Sequence, residues 1–157
     1  MVTAFNILYS AAAVRRLLGL NASSSVQLKK FAWVIWVWVK GRRPTFISKR
    51  VFLQHFVEWR KAQSRGLRVT ALLSPARHYS VRNPSRNTAY LVEQRSDGVF
   101  CTCDDFNNQL EFFSQGCCKH GYAVLRQLGW SSLQAYLQAQ KVRPLPRAYE
   151  VVAIYAA

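Results

Sequence analysis

The chain has 157 residues, half of them apolar, and a formal net charge of +15. That length and composition suit one domain with a modest core and exclude global disorder. Twenty-two Lys and Arg against seven Asp and Glu point to a polyanionic partner, nucleic acid being the common one, although such charge also serves solubility or anionic membranes.

Residues 3–18 predict a helix with Ile7, Leu8, Ala11, Val14 and Leu18 on one side and Gly19 as its stop. A polar break at 21–25 follows. The nine apolar residues of Phe31-Ala32-Trp33-Val34-Ile35-Trp36-Val37-Trp38-Val39 admit a doubly buried strand or a buried helix. We read them as a helix from Val26 onward, capped by Gly41, with Trp33, Trp36 and Trp38 forming the core on which the later residues rest. The run falls short of the about 20 apolar residues that a bilayer requires, so no transmembrane segment is expected; a shallow interfacial anchor, bracketed by Lys29, Lys30 and Lys40, is the alternative.

Gly41-Arg42-Arg43-Pro44 reads as a basic turn, and Ser48 as the N-cap of a helix ending near Arg65-Gly66. Phe52, Phe56 and Trp59 would line one face of that helix and Gln54, Glu58, Lys61 and Arg65 another. The connector of residues 40–46 is longer than a helix-turn-helix turn. His55 and His78 lack partner spacing and read as packing or surface groups. A strand over 78–82 and a turn at Asn83-Pro84-Ser85 come next. Ala89-Tyr90-Leu91-Val92-Glu93-Gln94 and Val99-Phe100-Cys101-Thr102-Cys103 then flank Arg95-Ser96-Asp97-Gly98, and Asp-Gly between such runs signals a hairpin. Beyond Trp130, Ser131 or Ser132 caps a short helix with Leu133, Tyr136 and Leu137 inward. The tail with Pro144 and Pro146 is extended, with a strand over 150–155.

The cysteines carry most of the chemistry. All four lie between residues 101 and 118, in the pattern Cys101-x-Cys103, fourteen residues, then Cys118-x-His120. On a strand, residues two apart share a face, whereas on a helix they diverge, so the first pair needs a strand. The second pair precedes Val124, Leu125 and Leu128 at helical spacing and so opens a helix, whose free N–H groups favour the thiolates that a metal requires. Three sulfurs and an imidazole in two close pairs describe a closed structural zinc site. Buried free thiols or a disulfide pair are the plainer alternative, but a disulfide framework wants a secreted context. The N-terminus has no basic region of a signal peptide, and the chain is expected in the reducing cytoplasm.

This arrangement resembles the SWIM-type zinc finger, a ββα module written C-x-C, variable gap, C-x-H. The resemblance covers roughly residues 88–130. An acidic residue and an aromatic commonly follow the second Cys in that family, here Asp104-Asp105-Phe106, and an apolar helix follows the second pair. The family often has Pro before that pair, where this chain has Cys117; only Cys118 keeps the one-residue gap to His120. The resemblance implies one structural Zn²⁺ per chain, held by Cys101, Cys103, Cys118 and His120. It also implies DNA-binding or protein-interaction roles, in a family found with transposases, helicase-like chromatin enzymes and recombinase partners.

The expected architecture is therefore α+β: a small antiparallel hairpin plus helix packed on N-terminal helices, with a basic, mostly helical region at 1–75, the finger at 76–130 and a helix and tail at 131–157. Charge is unevenly spread, with +8 over residues 40–68 and −3 over residues 97–120. Phosphates are accordingly expected at Lys40, Arg42, Arg43, Lys49, Arg50, Lys61 and Arg65 rather than on the finger, with DNA favoured over RNA. The alternative is an adaptor whose acidic finger binds a recombinase-like or transposase-like protein. No enzyme signature emerges: the site closes with four protein ligands, and neither a Gly-rich phosphate loop nor a nucleophile elbow is present. Cys117 beside Cys118 would suit a redox switch, but Cys-x-x-Cys is lacking.

Overall fold

A period of two, not of 3.6, governs the Trp-rich run at Val34–Val39. In the computed structural model, which describes residues 2–142, the apolar run that we expected as a helix forms two strands, β1 (Val26–Lys30) and β2 (Val34–Val39). Burial along β2 alternates, with Ile35, Val37 and Val39 buried and Val34, Trp36 and Trp38 half-buried. Because both sets are apolar, the alternation does not show as an apolar/polar pattern. β-branched residues and tryptophans settle the outcome, since they pack well on a pleated surface. A third strand, β3 (Thr45–Ser48), completes an antiparallel sheet of order β1-β2-β3. Gly41, expected as a helix cap, instead sits at φ 82° in the β2–β3 turn, a conformation that glycine adopts without steric cost.

The expected helix over 3–18 is two helices, α1 (Ala4–Leu8) and α2 (Ala11–Leu17). Ser10 divides them: its hydroxyl accepts from the Ala13 N–H at 3.1 Å, starting a new helix rather than continuing the old one. Thr3 and Asn6 form a reciprocal capping box on α1. The helix expected from Ser48 is α3 (Lys49–Ser64), and Ser48 Oγ accepts from Val51 N–H at 3.3 Å. Ile35, Val37 and Val39 pack with Tyr9, Ala13, Val14 and Phe52 into one apolar core. The tryptophans expected in that core lie outside it, and Trp33 is 84% exposed.

The chain divides into two units between Arg60 and Lys61. The second unit begins within the last turn of α3 and contains a four-stranded antiparallel meander. Its strands are β4 (Arg68–Ala71), β5 (His78–Asn83), β6 (Thr88–Arg95) and β7 (Gly98–Cys101). The sequence suggests three of these; β4 is an edge strand with only Val69 half-buried, so it carries no apolar alternation. The predicted hairpin is β6–β7, its ladder closing at Arg95 and Gly98. Three helices follow: α4 (Asp104–Phe113), α5 (Lys119–Gln127) and α6 (Leu133–Val142). α5 packs against all four strands, burying Ala123, Val124 and Leu125. Ser132 caps α6, which turns Tyr136 inward.

The fold is thus α+β with antiparallel sheets, although its N-terminal part is sheet as well as helix. Among the described residues no helix is long and apolar enough to cross a membrane. The strand expected over 150–155 lies outside the described residues.

Candidate metal centre

Each of the four grouped side chains is placed by a different piece of backbone. Cys101 ends β7 opposite Val92. The Thr102 N–H donates to Leu91 O at 3.1 Å and Thr102 Oγ1 accepts from Leu91 N–H at 3.2 Å. These bonds carry the extended backbone one residue beyond the ladder, so Cys101 and Cys103 emerge on the same side. Cys103 has φ −85° and ψ 152° and is the N-cap residue of α4. Cys118 is the N-cap residue of α5, and its Sγ accepts from the Gly121 N–H at 3.4 Å. His120 lies in the first turn of α5, 3% exposed, its ring stacked on Tyr90 with centroids 4.5 Å apart.

The four ligand atoms lie within 4.8 Å of one another, and all four residues are buried. His120 Nδ1 is 3.6 Å from Cys101 Sγ and 3.7 Å from Cys118 Sγ. Zn–S and Zn–N bonds of about 2.3 and 2.05 Å arranged tetrahedrally require S···N edges of about 3.5 Å. The group is therefore compatible with a zinc site. None of the four cysteines forms a disulfide.

The three sulfurs of the cluster perturb one another strongly. The thiol of Cys101 is pushed up to about 12 because it donates a hydrogen bond to Cys103. Cys118 is raised as well, by hydrogen bonding to Cys101 and Cys103 and by burial. Cys103 is held well below the usual thiol range, chiefly by the bond from Cys101 and then by that from Cys118. A divalent ion at their centre would favour the thiolate form of all three.

The two helix starts matter here as much as the ligands. Cys103 and Cys118 stand at the N-termini of α4 and α5, so the positive ends of two helix dipoles lie beside the sulfurs. The sequence pattern indicates α5 but not α4. Phe106, Gln109 and Phe113 have helical spacing, yet cysteine is not an expected N-cap residue, and Asp104 and Asp105, which occupy the favourable first turn, read equally well as motif residues.

Cys117 is buried but lies outside the four-residue cluster. Its Sγ stands 3.8 Å from Cys118 O, on the inner side of α5, where a Cβ on Gly121 would come within 2.9 Å of it. The Cys117 N–H donates to Gln109 Oε1 at 3.0 Å, and a Cβ on Gly116 would meet Gln109 Cβ at 2.5 Å. Gln109 thereby ties α4 to the residues just before the second ligand pair.

The residues expected at phosphates are scattered by comparison. Lys40, Arg42 and Arg43 are exposed at the β2–β3 turn, and Arg50 is exposed in the first turn of α3. Lys49 is partly engaged, donating from Nζ to Ala32 O at 2.6 Å. Lys61, half-buried, and Arg65, exposed, belong to the second unit. No protein-family model, curated protein or solved structure matches the chain.

Proposed function

We propose that residues 88–130 form a SWIM-type finger holding one structural Zn²⁺ through Cys101, Cys103, Cys118 and His120, and that the protein is a non-enzymatic, nucleic-acid-associated module, DNA being favoured over RNA. The observation that carries the metal reading is the meeting of four buried ligand atoms, from two chain segments, within 4.8 Å of one another. Bound zinc would supply cross-linking rather than chemistry, because four protein ligands leave no position for water or substrate. Elemental analysis is expected to return one zinc per purified chain, and Cys103→Ser is expected to lose it; Cys103→Ser with full zinc and an unaltered melting curve would reject the assignment.

Charge supports the nucleic-acid part. Residues 1–60 carry ten Lys and Arg against a single carboxylate, Glu58. Affinity for generic DNA should fall about a thousandfold between 50 and 200 mM salt if some six phosphates are neutralised. Salt-insensitive binding, or none at low salt, would refute it.

A second reading, an adaptor for a recombinase-like or transposase-like protein, is favoured by a different surface. Beside the cysteines a groove of about 450 Å³ is lined by Leu91, Phe100, Phe106 and Leu110, and the adjoining first turn of α4 is acidic. A partner retained after nuclease treatment would favour this reading.

A further inference from the structure

The N-terminal sheet has two faces with different fates. Ile35, Val37 and Val39 point into the apolar core. The other face carries Trp36 and Trp38, and register identifies their neighbours: Lys29 and Phe46 flank Trp36, and Gln27 flanks Trp38. Phe31, two residues after Lys29, packs edge-on against Phe46 with ring centroids 6.0 Å apart, and Lys29 Nζ lies 5.7 Å from the Phe31 ring. The Lys40 N–H donates to Ser25 O, which extends the pairing and places Lys40 on the same face as the two tryptophans. Phe31 is 44% exposed and Phe46 61%.

Large aromatics left exposed on a sheet call for an explanation, because burying them would be favourable. Here they form a stripe in which Trp36 lies beside Trp38 along β2 and beside Phe46 across the sheet, and Phe46 meets Phe31; cations edge it, Lys29 on β1 and Lys40, Arg42 and Arg43 beyond the end of β2. Aromatic planes edged by cations match a single strand whose bases lie to one side of its phosphates.

We propose that this face, centred on Trp36, Trp38 and Phe46, is a stacking platform for single-stranded nucleic acid, with Lys29, Lys40, Arg42 and Arg43 holding its phosphates. The proposal rests on the nucleic-acid reading above and makes it specific: unpaired bases are held on the sheet, and a duplex, whose bases are already stacked, gains only the phosphate contacts. Strands on a sheet are about 4.8 Å apart, so the rings of β2 and β3 can hold neighbouring bases of an extended strand.

The test uses the full zinc-loaded chain and fluorescein-labelled oligonucleotides of about 12 nucleotides, a length within the range covered by single-strand sites, as single strand and as duplex. The single strand is expected to bind more tightly and to quench tryptophan fluorescence. Phe46→Ala is expected to weaken single-strand binding about fivefold or more while leaving duplex binding and the salt slope unchanged, and Phe46→Tyr to retain affinity. Arg42→Gln with Arg43→Gln should instead weaken both forms and flatten the salt slope. Equal affinity for both forms, with Phe46→Ala indifferent, would overturn the platform while leaving the broader nucleic-acid reading intact. No binding of either form at low salt would remove both. Binding to phosphatidylserine vesicles that Phe46→Ala abolishes, without binding to either oligonucleotide, would reassign the face to a membrane surface.

Discussion

The two units of the chain are held together by different physics. In the first, the buried set is apolar throughout, from Tyr9 and Val14 to Ile35, Val37 and Phe52. In the second, valines and Leu125 share the interior with three ligand thiols and an imidazole. A buried polar cluster opposes folding unless something satisfies it, whereas a buried Phe or Val contributes through the area it removes from water. An apolar core works in any solution, but a thiol–imidazole cluster that holds the zinc proposed for it would work only with that ion.

Removing the proposed ion is the largest way to break that comparison. Structural zinc contributes about 10 to 16 kcal/mol in finger peptides, comparable to the whole 5 to 15 kcal/mol stability of a domain. Chelation should therefore expose the amides of β6, β7, α4 and α5 to hydrogen exchange while those of β2 and the buried part of α3 stay protected. Uniform exchange across both units, or none in either, would show that the division of labour is wrong.

The converse experiment breaks the other unit. Phe52 is fully buried and meets Tyr9 edge-on at 5.3 Å. Phe52→Ala should cost about 3 to 5 kcal/mol in denaturant unfolding of the first unit, and elemental analysis should still give the wild-type metal content. A loss of metal in Phe52→Ala would mean that the two interiors are coupled.

Gly121→Ala sharpens the contrast within the second unit. The added methyl would sit 2.9 Å from Cys117 Sγ and 3.1 Å from Val99 Cγ2, an overpacking expected to cost about 1 to 3 kcal/mol. Pairing it with Cys117→Ala should recover part of that cost, and the double variant should keep its metal, since Cys117 stands outside the cluster. Metal loss on Cys117→Ala alone would bring that residue into the coordination shell.

The smallest effect belongs to the surface. Glu93 accepts from Arg95 at 2.5 Å, and that bond holds its carboxyl below the usual range. A lowered folded value contributes stability above the unfolded carboxylate range and loses it as pH falls through the folded value. Both groups are substantially exposed, so Glu93→Gln should cost only about 0.2 to 1 kcal/mol near neutrality. The difference from the parent chain should close in acid, where both proteins shed metal alike; a gap that widens on acidification would contradict the pairing.

What could be read from the sequence follows the same division. The hairpin, the start of α5 and the gathering of Cys101, Cys103, Cys118 and His120 were legible because short spacings determine them: two residues on a strand, two at a helix entrance, Asp-Gly between apolar runs. The Trp-rich run was misread as a helix because both faces of β2 are apolar, so neither period stands out. Helix α4 was missed because its cap is a cysteine serving a second purpose. The break at Ser10 lay in view as a hydroxyl residue, but the apolar spacing on either side of it continues across the junction.

Because Cys103 begins α4 and Cys118 begins α5, the coordinating positions also set the phase of both helices. Adding one residue between Cys118 and His120 would swing the imidazole by about 100° around the α5 axis and off the centre. Between these two fixed starts the chain runs out along α4 and returns through residues 114–117, past the left-handed Ser114 at φ 57°. Length could change in that excursion without moving either anchor, so insertions at 114–116 are expected to be tolerated where insertions inside either close pair are not.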